Sequence, residues 1–437
     1  MAETSRSARS PRRDFLKQST ATLAGSAAIL SAQGVPQVHA GGSETLKVGL
    51  IGCGGRGMGA AKNATRKENR AVLTAMADLF PEPIERAKKL LGKQLGPAYA
   101  VSDDHCFVGF DAFKQLLQTD VDVVLLATPP HFRPEHLAAS IDAGKHVFCE
   151  KPVAVDPTGV RSVLETSERA AKKNLNIVSG LCWRYHRGVR ETMKQIEDGA
   201  IGDIVSIHEN YLTGTLWHRG HKPDWSEMEF QCRNWYYFKW LSGDHIVEQF
   251  IHSLDKALWL KHDVPPARCF GLGGRQVRTD PKFGDIYDHF AVCYEWEDGT
   301  KCFAYTRQMR GVFNTVEDYV YGTKGKARVL AHRVDGPQGR WRYRGKGDPS
   351  MYDAEHVALF RAIRDGRPIN NGTYMSYSTL MAIIGREACY TGSVIDWNDA
   401  MRSPQHLAPA KYAWGPGMPV EVAMPGVTRF PPPPRSA

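Results

Sequence analysis

Neither a Cys-x-x-Cys pair, nor a basic run beyond residue 40, nor an apolar stretch of membrane-spanning length occurs in this chain, and each absence removes a class of protein. The nine cysteines are an odd number, at positions 53, 106, 149, 182, 232, 269, 293, 302 and 389. Their spacing reads as neither a disulfide framework nor a zinc site. Cys149 and Cys293 lie in apolar runs, where thiols are buried and inert. The net charge is +9, but five basic residues against two acids fall in the first forty positions. The modest surplus that remains suits anionic small ligands and lacks the footprint of a nucleic-acid binder. Residues 21–30 are too short and too rich in Ser, Thr and Gly to span a membrane. What is present is ordinary for a soluble chain: 437 residues, 42% apolar and 24% charged. That length allows two domains, or three small ones, with ample core.

The start of the chain reads as a leader rather than as fold. Ser10-Pro11-Arg12-Arg13-Asp14-Phe15-Leu16-Lys17 precedes the short apolar segment, and Val38-His39-Ala40 offers a small-x-Ala cleavage site. The pair of arginines followed by Phe-Leu-Lys resembles a twin-arginine (Tat) export signal over residues 1–40, with Pro11 where Ser or Thr is usual. The resemblance implies a bacterial protein carried folded to the periplasm, often with its cofactor already bound. Folding in a reducing compartment would explain unpaired cysteines in an exported chain.

Residues 45–180 read as alternating strands and helices. Leu46 to Ile51 is a buried strand running into Gly52-Cys53-Gly54-Gly55-Arg56-Gly57, a Gly-x-Gly-x-x-Gly turn that opens a helix. Gly52, Gly54 and Gly57 suit a tight turn, a backbone touching pyrophosphate, and a helix N-terminus facing an anion. A second strand ends at Asp78, 26 residues beyond Gly52. An acid there accepts hydrogen bonds from the adenosine ribose and repels a 2′-phosphate, favouring NAD without excluding NADP. Val121 to Ala127 is a buried parallel strand ending at Thr128 and Pro129. His146 to Cys149 is another, and it stops at Glu150-Lys151-Pro152. A lysine at the mouth of a buried strand is poorly hydrated, which favours proton transfer. In an open parallel sheet, four such strand ends converge on one crevice.

These segments, taken with Ala143-Gly144-Lys145-His146-Val147, resemble the Gfo/Idh/MocA oxidoreductases, the glucose–fructose oxidoreductase and inositol dehydrogenase family. The resemblance implies that Lys151 lies beside the nicotinamide and the substrate hydroxyl, with Glu150 positioning both. It implies an α/β chain: an N-terminal Rossmann doubly wound parallel sheet, then a C-terminal α+β domain over 181–410 with a large, mostly antiparallel sheet. Strands are expected near 204–212, 269–277, 287–296, 301–307, 319–321 and 327–330, with Asp298-Gly299 as a hairpin turn. In the family such a sheet builds the substrate face and commonly the oligomer interface, so a homo-oligomer is expected. Residues 411–437, ending in Pro431–Pro434, read as an extended arm or a disordered tail.

The second chemical stretch is Gly243-Asp244-His245-Ile246-Val247-Glu248, continuing to His252 and Asp255. Read as one helix, its apolar residues span an arc of about 140°. His245, Glu248, His252 and Asp255 then share the opposite face within roughly 80°. Glu248 and His252, at i and i+4, are expected to pair, the carboxylate orienting the imidazole. The family pattern is Gly-Gly-x-x-x-Asp-x-x-x-His-x-x-Asp; His252 and Asp255 match it, and Glu248 stands where aspartate is usual. Trp183 and Arg184 fall where the family lines its active site. Arg233 and Trp235 precede the helix in an aromatic, donor-rich run suited to a sugar ring.

The resemblance therefore implies an NAD-dependent oxidoreductase, with the cofactor tightly held, acting on a sugar or polyol carbinol, and no metal. Lys151 or His252 takes the hydroxyl proton, the other bonding the developing carbonyl. Some family relatives instead oxidise a glycoside transiently and reduce it again, acting as redox-neutral hydrolases. A non-catalytic sugar-sensing protein on the same fold would be marked by loss of the lysine, which is present.

Overall fold

The computed structural model describes residues 45–434. The expected export signal, with its twin arginines, lies outside the described residues. Six strands form the first sheet: β1 (Leu46–Ile51), β2 (Ala71–Asp78), β3 (Cys106–Val108), β4 (Val123–Leu126), β5 (His146–Cys149) and β6 (Ile177–Ser179). They are all parallel and lie in the order β3-β2-β1-β4-β5-β6, the doubly wound arrangement. Helices α1 (Gly55–Ala64), α2 (Pro81–Leu95), α3 (Ala112–Leu117), α4 (Arg133–Asp142) and α5 (Pro157–Lys172) connect them. The central strands are buried on both faces, which is why they read as unbroken apolar runs.

Because the strands are parallel, every one of them delivers its next residue to the same edge. The ladder continues there: Gly52 N–H donates to Ala77 O at 2.8 Å, Ala127 N–H to Ile51 O at 2.8 Å, and Glu150 N–H to Leu126 O at 3.0 Å. Gly52, Asp78, Thr128 and Lys151 are thereby set side by side on one rim.

The chain then builds α6 (Arg187–Glu197), β7 (Ile204–Thr213), α7 (Glu227–Arg233), α8 (Lys239–Ser242), α9 (His245–Glu248) and α10 (Ile251–Leu260). Strands β8 (Arg268–Gly274), β9 (His289–Glu295), β10 (Lys301–Gln308), β11 (Thr315–Gly322), β12 (Lys326–Arg328), β13 (Arg333–Gly336) and β14 (Gly339–Arg342) follow. Last come α11 (Met351–Asp365), α12 (Gly372–Thr391), β15 (Ile395–Asp396) and α13 (Trp397–Arg402). The second sheet has nine strands in the order β14-β13-β12-β11-β7-β10-β9-β8-β15, antiparallel except for the β7–β10 pair. One face of this sheet packs on α10 and α12 through Leu254, Ala257, Ile383 and Tyr294. Helices α11 and α12 return to the first sheet, Phe360 joining its core on one side and Met375 on the other. The C-terminal segment is extended and irregular, and it packs back on both sheets' domains.

No described helix is long and apolar enough to cross a membrane. Eight of the nine cysteines are buried and all are free thiols.

Candidate active site

The glycine turn is shaped by contacts that only hydrogen permits. A Cβ on Gly52, where φ is +97°, would stand 2.6 Å from the Ala127 carbonyl carbon, and one on Gly57 would drive into the Gly52 carbonyl oxygen. Gly54 and Gly55 differ: a Cβ there would meet nothing within 4 Å. Their bare backbone faces open space at the N-terminus of α1, the cradle a pyrophosphate needs. Gly52, Gly54, Asp78, Thr128 and Pro129 line a single cavity of about 300 Å³. The Asp78 carboxylate sits at its side, accepting from Cys53 N–H at 2.7 Å and Phe80 N–H at 3.0 Å. Burial raises its pKa, and those main-chain donors oppose the shift. Each oxygen keeps a lone pair for a ribose hydroxyl. The residues present therefore fit a dinucleotide.

Arg233 and Trp235 line the same cavity, at the Asp78 end, rather than meeting Lys151. Arg233 lies 4.0 Å from the Phe80 ring centroid and bonds to Glu229 and Glu82. Two residues of the run expected to suit a sugar ring thus stand in the wall of the nucleotide cavity.

At the β5 end, Lys151 Nζ donates to the main-chain oxygen of Glu248 at 2.5 Å and to its Oε1 at 3.2 Å. Two of its three ammonium protons are so engaged. Both side chains are about one-seventh exposed. Beside them, the Nδ1 of His252 is buried and makes no hydrogen bond. Desolvation, reinforced by Lys151, Lys256 and Arg56, drives the pKa of this imidazole well below its ordinary value. It is neutral at physiological pH and able to accept a proton.

The expected Glu248–His252 pair does not form, and neither does the single helix that would make it. Phe250 N–H bonds back to His245 O, five residues earlier, and α9 ends at Glu248 while α10 begins at Ile251. That extra residue in the turn rotates the two halves apart. His245 points into the core, held by Asp244 Oδ1, and Asp255 is taken by Arg184 and Ser378. Glu248 turns instead to Lys151. Arg184 is likewise not free for substrate: Asp255 and Asp263 clasp its guanidinium over the Tyr374 ring. Trp183 packs partly buried against the core, 5.4 Å from Lys256 Nζ.

Two arginines unremarked in the sequence organise the rim. Arg56, a variable position within the glycine motif, bonds to Glu150 and reaches Glu355 of α11 at 3.2 Å. Arg133, buried at the start of α4, donates to Thr128 O at 2.6 Å and to Pro152 O, tying two strand ends together. Arg56 stood in plain view beside the glycines. Nothing local distinguishes Arg133 from a solvated helix residue.

Residues 46–178 match the model described as "Oxidoreductase family, NAD-binding Rossmann fold", and residues 189–328 match the "GFO/IDH/MocA C-terminal domain". A levoglucosan dehydrogenase of Pseudarthrobacter phenanthrenivorans is 30% identical over 319 residues, 67% of this chain and 75% of that one. A glycosyl hydrolase family 109 protein of a Shewanella strain is 30% identical over 223 residues, covering 47% of each chain. The chain spans about half the length of several of the curated relatives it matches. In structure it is similar to scyllo-inositol dehydrogenase from Lactobacillus casei, solved with NAD(H) and scyllo-inositol. That match has a TM-score of 0.62 and 21% identity, covering 81% of this chain and all of the other.

Proposed function

Since the chain belongs to the Gfo/Idh/MocA oxidoreductases, whose N-terminal domain is an NAD-binding Rossmann fold, we propose that it oxidises a secondary alcohol of a sugar or polyol. The observation that carries this reading is the constellation at the β5 end, where Lys151 bonded to Glu248 stands beside the half-buried imidazole of His252, whose Nδ1 is buried and makes no hydrogen bond. Bound NAD supplies the hydride acceptor when the glycine cradle is filled. The chain's own residues then divide the remaining work. Neutral His252 accepts the hydroxyl proton. Lys151, with one ammonium proton left over, donates to the oxygen as charge develops on it. Glu248 holds the lysine in place. The test is oxidation of a sugar and polyol panel followed as NADH absorbance. His252→Gln should depress turnover with little change in NADH affinity, and turnover equal to wild type would remove His252 from the chemistry.

A second reading rests on the likeness to the glycosyl hydrolase relative. In it the same site oxidises a glycoside, the aglycone leaves, and the product is reduced again, so that no cofactor is consumed. Glycoside cleavage without added NAD supports this reading, and accumulation of a keto-sugar with added NAD supports net oxidation. Both readings are compatible with a cofactor that stays bound, which suits Tat export to the periplasm, where free NAD is scarce. Fractionation of bacteria expressing the full chain, with arginines 12 and 13 replaced by lysine as control, tests the export. The outer face of the second sheet displays Phe270, Leu272, Tyr305 and Tyr321, each more than a third exposed. An apolar sheet face of this kind supports a homo-oligomer, checked by light scattering.

A further inference from the structure

Beyond α13 the chain makes one long excursion and returns. Ser403 Oγ donates to Pro431 O at 2.7 Å, so residues 28 apart are tied at its base. Its outward limb is held by Leu407 N–H on Asp156 Oδ2 at 2.7 Å. Its return limb is held by Met418 O accepting from Gln231 Nε2 at 2.8 Å and Ala423 O from Tyr287 OH at 2.8 Å. Between the limbs lies the tip, Tyr412 to Trp414. Neither family model reaches this arm, the second ending at residue 328.

The tip rests on the wall of the nucleotide cavity. Trp414 stacks on Phe80 at 5.5 Å between ring centroids and meets Phe110 at 4.9 Å. Tyr412 packs on Phe110 at 5.7 Å and Phe132 at 5.8 Å, and its hydroxyl shares a 2.8 Å hydrogen bond with Nε2 of buried His131. Phe80, Phe110 and Phe132 all line the cavity, with Phe80 two residues beyond Asp78. Gly415 O also accepts from Met228 N–H on α7, the helix that carries Arg233. The arm thus joins the Rossmann rim to the second domain across the Asp78 end of the cavity.

We propose that this arm completes the adenosine subsite and retards release of the dinucleotide, its tip holding the three aromatic walls closed. The proposal rests on the reading of the cavity as an NAD site. Trp414 and Tyr412 are positioning residues that act through Phe80, Phe110 and Phe132. The mark of such a role is selectivity for the adenosine portion: ADP-ribose, which lacks nicotinamide, is retained by the arm as NADH is.

Trp414 is about half exposed, so its removal leaves the core intact. The experiment measures dissociation of NADH and of ADP-ribose from full-length wild type, Trp414→Ala, Tyr412→Phe and Val427→Ala by stopped-flow displacement. Val427 lies on the return limb, 72% exposed and away from the tip. Trp414→Ala should release both ligands about tenfold faster, the scale of one lost aromatic contact. Tyr412→Phe should quicken release by a smaller factor, and Val427→Ala should match wild type. Release from Trp414→Ala within twofold of wild type overturns the proposal, and so does equal acceleration by Val427→Ala. Wild type that binds neither NADH nor ADP-ribose would overturn the underlying NAD reading and the arm's role with it.

Discussion

The ammonium of Lys151 is bonded to both the main-chain oxygen and the carboxylate of Glu248, 97 residues away in the chain. The contact joins the carboxyl end of β5 to the break between α9 and α10, and so joins nucleotide half to substrate half. In the proposed mechanism, replacing Lys151 by alanine removes a hydrogen-bond donor from the reacting oxygen but touches no residue of the glycine cradle. Turnover of Lys151→Ala should fall about 10²- to 10³-fold, the usual cost of losing one donor to a developing oxyanion. NADH affinity, read by fluorescence titration, should stay within a few-fold of wild type. Undiminished turnover would remove the lysine from the mechanism.

The glycine turn offers a sharper separation of binding from folding. Gly54 faces open space and has ordinary extended backbone, φ −67° and ψ −175°. Gly54→Val should therefore fold with its melting temperature nearly unchanged while losing NADH affinity by an order of magnitude or more, because the side chain occupies the pyrophosphate's place. Gly57→Ala should do the reverse first. Its Cβ collides with the Gly52 carbonyl, so α1 must shift and stability should fall by about 1–3 kcal/mol. Calorimetry on both variants, with and without NADH, distinguishes the two outcomes.

These contrasts also show which parts of the molecule were legible beforehand. Strand ends were, because parallel strands with apolar sequence must deliver Gly52, Asp78, Thr128 and Lys151 to one rim. The α9–α10 break was not. Apolar periodicity runs through Gln249 and Phe250 without interruption, and only packing forces the extra residue. Arg184 read as a ligand contact because Asp263, its closest partner at 2.6 Å, lies 79 residues on and carries no local signal. The proline-rich stretch could be read as an extended arm or a disordered tail, and its anchoring could not be foreseen for a similar reason. Its anchors, Asp156, Gln231 and Tyr287, are all distant in sequence.

Asp244 occupies the second glycine position of the family pattern, and it shows what the side chain does there. Its φ is +71°, a conformation that non-glycine residues adopt at a cost of about 1–3 kcal/mol. Its carboxylate accepts from His245 N–H at 2.5 Å, Tyr287 N–H at 2.7 Å and the Tyr390 hydroxyl at 2.6 Å. Burial pushes its pKa up, but those bonds and the neighbouring imidazole outweigh it and leave the pKa lowered. Asp244→Ala keeps the strain and loses the bonds, so it should be the less stable variant. Asp244→Gly loses the bonds but relaxes the backbone, and should be more stable than the alanine variant by about 1 kcal/mol. Equal urea midpoints for the two would mean that the positive φ is unstrained.

Acid should destabilise the protein well before its surface carboxylates titrate. Burial holds the imidazoles of His131, His136 and His356 at about 3 and that of His252 well below its usual value. In the unfolded chain each titrates near 6.5. A depressed native pKa means that the unfolded state binds the extra proton, so this stability is fully present above about pH 6.5 and drains away as pH falls toward about 3. Glu209 and Glu355 work in the opposite sense, because burial raises them well above the usual range and their native forms keep a proton that the unfolded chain releases. Near pH 5.5 the four imidazoles outnumber these two carboxyls. The imidazoles thus predict a positive slope of unfolding free energy against pH over this range, so that stability falls as the solution is acidified. Urea unfolding at pH 7.5, 6.5 and 5.5 measures this slope directly. His356→Gln, which removes one titrating imidazole, should reduce it by about 1.4 kcal/mol per pH unit where that histidine is fully protonated in the unfolded chain. A flat profile, or stability rising as the pH is lowered, would show that the buried imidazoles do not outweigh the buried carboxyls.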